Sequence, residues 1–138
     1  MATNHVHEGG CLCGAVRYRI EEPARFSSMC HCRSCQRATG APGSAFVGVA
    51  EKQFAWMQSE ARIYESSPGV RRGFCLGCGT SLTYAGDAWP GEIHIYTATL
   101  DEPAAFPPTV HTFTADRIAW FDPDDGLPRL SGFGSDGA

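Results

Sequence analysis

Apolar side chains recur at every second position in short runs, and most of these runs are bounded by turn-forming residues. Ala15 to Ile20 alternates small or apolar with polar residues, the pattern of a half-buried strand, and Glu21, Glu22 and Pro23 end it. Ser44 to Val49, Phe54 to Trp56, Arg62 to Glu65, Val70 to Phe74 and Ser81 to Tyr84 are further strand candidates. Ser67, Pro68 and Gly69 turn one of them into the next, which predicts a hairpin. Glu92 to Thr97, Val110 to Phe113 and Ile118 to Phe121 alternate as well. Helical periodicity is limited to one short turn over Gln36 to Thr39, stopped by Gly40 and Pro42. Many short strands with little helix predict a mainly β domain.

A length of 138 residues and a hydrophobic content of 43% fit one globular domain with a modest core. No segment has the charged start and apolar run of a signal peptide, and no stretch is long enough to span a bilayer. A cytoplasmic location is expected. The formal charge of −4 argues against nucleic acid as a partner, because phosphate binding needs a basic face. The sequence gives no signal for oligomeric state.

Cysteine usage changes the picture most. All seven cysteines fall in three tight groups: Cys11 and Cys13, then Cys30, Cys32 and Cys35, then Cys75 and Cys78. An odd count suits a disulfide framework poorly. Zinc accounts for it, since four thiolates close a tetrahedral structural site and three leave one position open. The economical division pairs Cys11 and Cys13 with Cys75 and Cys78, and leaves Cys30, Cys32 and Cys35 as an open site. The rival division joins Cys75 and Cys78 to the middle group and strands the first pair. Ligand type favours zinc without excluding iron–sulfur chemistry. Two Zn2+ per chain would take the formal charge to about −7 with every thiol ionised.

The ordered set Gly-Gly-Cys11-x-Cys13-Gly, Cys30-His31-Cys32-Arg-Ser-Cys35, Thr39-Gly40 and Phe74-Cys75-x-x-Cys78-Gly79-Thr80 resembles the glutathione-dependent formaldehyde-activating enzyme family. His111, Trp120 and the run Asp125-Gly-Leu127-Pro128 fit the same pattern. The resemblance extends from about Gly9 to Gly132 and implies an Mss4-like zinc-binding β domain over 9–132. By composition and pattern, residues 1–8 and 133–138 are expected as flexible ends, and the Pro-, Gly- and Asp-rich segment after Asp122 is expected to pack loosely. It implies a structural zinc on Cys11, Cys13, Cys75 and Cys78 and a catalytic zinc on Cys30, Cys32 and Cys35. It also implies carbon–sulfur lyase activity on a small thiol adduct such as S-(hydroxymethyl)glutathione. Centromere protein V carries the same kind of domain in chromatin, but this chain has no added basic segment.

Several residues around the open site are candidates for chemistry. His31 lies between two proposed ligands and has the intrinsic pKa for proton transfer. Arg33 and Arg37 are candidates for binding the carboxylates of the thiol, with Arg71 and Arg72 a second basic pair before Cys75. His94 faces away from Ile93 and Ile95, as a pocket-lining or surface residue, and His111 is expected to hold structure. His5 and His7 lie in the expected loose terminus. Trp56, Trp89, Trp120, Phe46 and Phe74 are core candidates, with Phe46 and Trp89 as possible cavity walls. Ser44 is a turn or ligand-bonding candidate. Two other functional classes fit the same cysteines: a non-catalytic Mss4-like zinc module binding a protein or small ligand, and a metal or redox sensor that releases zinc reversibly on oxidation.

Overall fold

The computed structural model describes residues 5–133. A small antiparallel sheet has β2 (Arg17–Glu21) between β1 (Val6–Gly10) and β5 (Phe54–Gln58). The remaining strands are β3 (Phe26–Cys30), β4 (Ser44–Ala50), β6 (Arg62–Ser67), β7 (Val70–Phe74), β8 (Ser81–Gly86), β9 (Glu92–Tyr96) and β10 (Val110–Thr112). They form one seven-stranded sheet in the order β10-β3-β4-β9-β8-β7-β6. Its pairs are antiparallel except β10, which lies parallel to β3. The single α-helix among the described residues is α1 (Arg33–Thr39), capped by the Cys32 thiol and ended by Gly40 at φ 72°. The mainly β architecture expected from the alternating pattern is therefore present.

Strand periodicity separates a core face from a site face. Val47 and Val49 on β4 and Ile95 on β9 pack with Tyr18 and Ile20 of the small sheet in the main core. Burying each such aliphatic chain contributes about 1.5–3 kcal/mol. Phe46 and Tyr96, from the same two strands, point the other way and join Cys30 and Cys35 in a second cluster. His94 shares that second face, as its alternation with Ile93 and Ile95 required.

Gly48 sits opposite Phe26 in the β3–β4 register, and a Cβ there would overlap the Phe26 ring. The absent side chain is what lets the ring lie flat on the strand. Gly48→Ala should cost about 1–3 kcal/mol through overpacking. Urea denaturation would measure it, and an unchanged midpoint would mean that the ring swings aside freely.

The structure corrects three sequence expectations. Residues 1–8 are not uniformly loose, because Val6 to Glu8 belong to β1 and His7 bonds Glu22 at 2.7 Å. This strand carries one aliphatic residue, and backbone pairing with β2 holds it. Gly9 also admits the Tyr18 hydroxyl where a Cβ would collide with it. Residues 1–4 and 134–138 lie outside the described residues.

Ile118 to Phe121 is a turn rather than a strand, closed by Phe121 N–H donating to the Ile118 carbonyl at 2.9 Å. The Arg117 guanidinium donates to the carbonyls of Ile118, Ala119 and Phe121 at 3.1–3.4 Å, and so captures acceptors that a sheet would have used. Trp120 is consequently 75% exposed and not part of the core. The segment after Asp122 is also better fixed than its Pro and Gly content suggests. Leu130 N–H donates to the His111 carbonyl at 2.8 Å, and Phe113 N–H donates to the Gly132 carbonyl at 2.9 Å.

Candidate functional site

The loops after β1 and β7 bring Cys11, Cys13, Cys75 and Cys78 together, with all ligand atoms within 4.8 Å of one another. Cys13 Sγ lies 3.6 Å from Cys11 Sγ and 3.8 Å from Cys75 Sγ. Thiolates about 2.3 Å from a shared tetrahedral ion stand about 3.8 Å apart, whereas a disulfide needs about 2.05 Å. The geometry fits a closed metal site and groups the cysteines as ligand economy favoured, not in the rival division. Gly14 at φ 82° and Gly79 at φ 80° make the sharp turns beside the ligands that a side chain would resist. The hydroxyl and amide of Thr80 pull the Cys78 pKa down to about 5, so this ligand is primed as thiolate. Thr80 Oγ1 also accepts from Leu12 N–H at 3.0 Å, tying the two loops together.

The second cluster sits where β3 passes into α1. Cys30 ends the strand, Cys32 caps the helix and Cys35 lies in its first turn. Their sulfurs also lie within 4.8 Å of one another, with Cys30 and Cys35 at 3.9 Å. Contact with Cys30, then with Cys35, drives the Cys32 pKa down to about 2. The reciprocal contact with Cys32 pushes Cys30 far up. Three thiolates this close cannot all ionise without a cation among them, so the donor set suits a metal ion with one side open.

All three cysteines line a cavity of about 290 Å³ between the second sheet face, α1 and the C-terminal segment. Phe46 and Trp89 are among its walls, together with Phe26, Tyr84, Phe113 and Phe133. The cation at the cavity is Arg72. Its guanidinium lies 3.8–3.9 Å from Cys35 Sγ, donates to the Tyr96 hydroxyl at 2.9 Å, and sits 5.1 Å from the centre of the Tyr84 ring. Thr112, paired with Cys30 across β10 and β3, is also in the lining. Its hydroxyl, sealed from the cavity and from solvent, finds no hydrogen-bond partner among the described residues. Among the described residues, Asp116 is the one carboxylate in the lining.

Arg33 and Arg37 do not reach this cavity. They lie four apart on the exposed outer face of α1, opposite buried Cys35 and Gln36, and Arg33 bonds the Gln36 side chain. His31 is also absent from the lining, at 1% exposure. Its Nε2 is 2.8 Å from His111 Nδ1, and His111 Nε2 is 2.8 Å from Asp125 Oδ2. Asp125 can only accept when ionised, so His111 holds its proton on Nε2 and accepts from His31. Burial lowers the His31 pKa, and the chain Asp125–His111–His31 anchors the metal loop from behind. His111 is thus structural, as expected, and explains the Asp125 motif. Ser44 is buried at the start of β4 and lines a separate surface depression.

Sequence reasoning did not single out Thr112, Asp116, Tyr96 or Phe133. Alternation with Ile93 and Ile95 marked the face of β9 that carries Tyr96. Thr112 and Phe133 reach the site through the parallel β10 pairing and the returning tail, neither of which leaves a local sequence signal.

Fold and site together define a two-sheet β domain with a closed four-cysteine cluster and a three-cysteine cluster opening into a cavity. A family model described as glutathione-dependent formaldehyde-activating enzyme matches residues 6–116, and the chain belongs to that family. A Halomonas elongata protein named as a candidate glutathione-dependent formaldehyde-activating enzyme is 30% identical over 125 residues, covering 83% of this chain and 79% of that protein. An uncharacterized lyase of Schizosaccharomyces pombe is 37% identical over 81 residues, covering 57% of each chain. A crystal structure of a Rhodobacter sphaeroides protein superposes with a TM-score of 0.58 at 18% identity, covering 89% of this chain and 99% of that one, a likeness of fold. These relatives support an enzyme role. No described helix is long and apolar enough to cross a membrane.

Proposed function

We propose that this chain is a zinc-dependent carbon–sulfur lyase that interconverts a small thiol and formaldehyde with the S-hydroxymethyl adduct. The observation that carries this reading is the clustering of Cys30, Cys32 and Cys35 in the wall of one cavity, with the Arg72 guanidinium 3.8–3.9 Å from Cys35 Sγ. The relatives' names, formaldehyde activation and lyase, agree with it. A zinc ion on Cys30, Cys32 and Cys35 would supply a position that favours substrate thiolate over thiol, while Cys11, Cys13, Cys75 and Cys78 would hold a second ion for structure.

In the forward direction the substrate sulfur forms a bond to the aldehyde carbon, and the carbonyl π electrons move to oxygen. The proton lost by the thiol is regained by that oxygen, so thiol and formaldehyde combine with nothing left over. Asp116 is the acid–base group that exchanges the proton with solvent, in place of His31, which lies behind the loop. Arg72 offsets the negative charge of the sulfur cluster through Cys35 and is itself held by Tyr96. Cleavage retraces the same steps.

Cys35→Ser tests this assignment because serine keeps the shape and removes one sulfur of the cluster. Exchange of thiol and formaldehyde should fall about 100-fold or more, equivalent to the loss of a few kcal/mol of metal assistance. NMR exchange rates read the loss. Full activity in the serine variant would remove the three-cysteine cluster from the reaction.

A further inference from the structure

We propose that the thiol this cavity takes has an apolar, aromatic body and is not glutathione, an inference that rests on the lyase reading of the same site. The walls carry the first part of the argument. Phe26, Phe46, Tyr84, Trp89, Phe113 and Phe133 line a cavity of about 290 Å³, at the small end of ligand sites. Phe133 packs edge-on to Phe26 at 5.2 Å and against Trp89 at 4.3 Å, so the returning tail completes an aromatic wall over the sheet face. Such a wall removes aromatic surface from water and offers ring edges for offset and edge-to-face contacts.

Charge carries the second part. Glutathione brings two carboxylates and an ammonium, and each carboxylate needs a partner once it leaves water. Among the described residues Arg72 is the one lysine or arginine in the lining, and it is already engaged with Tyr96 and Cys35. His94 supplies no second cation: burial holds its pKa below the usual range, and its Nε2 bonds Glu92 at 2.9 Å. Arg33 and Arg37, which would have met the carboxylates, lie on the outer face of α1. Asp116 adds a negative charge to the lining. A benzyl-type thiol makes none of these demands and needs only its sulfur at the three-cysteine end.

Isothermal titration of the metal-loaded protein with phenylmethanethiol and with glutathione tests the inference. The aromatic thiol should bind about ten-fold tighter or more, and Phe133→Ala should erase most of that margin. Ser67→Arg places a cation at the cavity lining and should raise glutathione affinity several-fold relative to phenylmethanethiol, as a new charge-assisted contact would. Glutathione binding as tightly as phenylmethanethiol, or neither thiol binding, would overturn the inference. NMR exchange of the two S-hydroxymethyl adducts separates it from the lyase reading. Exchange of the glutathione adduct alone leaves the lyase reading standing and overturns the aromatic preference. Exchange of neither adduct removes the lyase reading whatever the binding preference.

Discussion

Cys78→Ala should leave the domain largely unfolded. Cys78 is one of four sulfurs that tie the loop after β1 to the loop after β7, and thereby the small sheet to the large one. A structural zinc bound by four thiolates contributes about 10–16 kcal/mol of apparent folding free energy at neutral pH. A domain of this size has a total stability of about 5–15 kcal/mol. Loss of one ligand therefore weakens a contribution as large as the whole margin. The main core cannot compensate, because Cys11 and Cys75 are themselves part of it. Circular dichroism and thermal melts would read the loss. A cooperative melt near the wild-type midpoint would mean that the four-cysteine cluster is not the structural staple.

Cys32→Ser should give the opposite outcome, a folded protein without activity. Serine keeps the α1 cap, because its hydroxyl can accept the Cys35 N–H that the Cys32 sulfur now accepts at 3.3 Å. Alanine would lose that cap at a cost of about 1 kcal/mol. The serine variant should retain its melt and one zinc per chain, while thiol–formaldehyde exchange falls about 1,000-fold or more, equivalent to several kcal/mol of metal assistance. Exchange at the wild-type rate would detach the chemistry from the three-cysteine cluster. The contrast between Cys78 and Cys32 is itself informative, since a single shared metal would make the two variants behave alike.

The cysteine division was legible in the sequence because ligand number and spacing are local chemistry. Cys30, Cys32 and Cys35 sit within six positions, and glycines flank the two outlying pairs. Most strands were legible for the same reason, as Val47, Val49, Ile93 and Ile95 alternate with site-facing neighbours. β3 was not, because Phe26-Ser-Ser-Met-Cys30 is partly buried on both faces and has no clean period. The charged groups were the weakest inference. Proximity in sequence favoured Arg33 and Arg37, yet a helix turned them outward, and Arg72 arrived from β7 on the far side of the sheet. His31 fails for a related reason. Its side chain leaves the metal loop on the buried side, where His111 and Asp125 hold it, while the sulfurs on either side face the cavity.

Native mass spectrometry of freshly reduced protein, titrated with a chelator, tests the central claim most directly. The four-plus-three arrangement predicts two zinc ions per chain, with one removed first while the fold persists and the second removed only on unfolding. One zinc per chain, or simultaneous loss of both with unfolding, would contradict a separate, open three-cysteine centre.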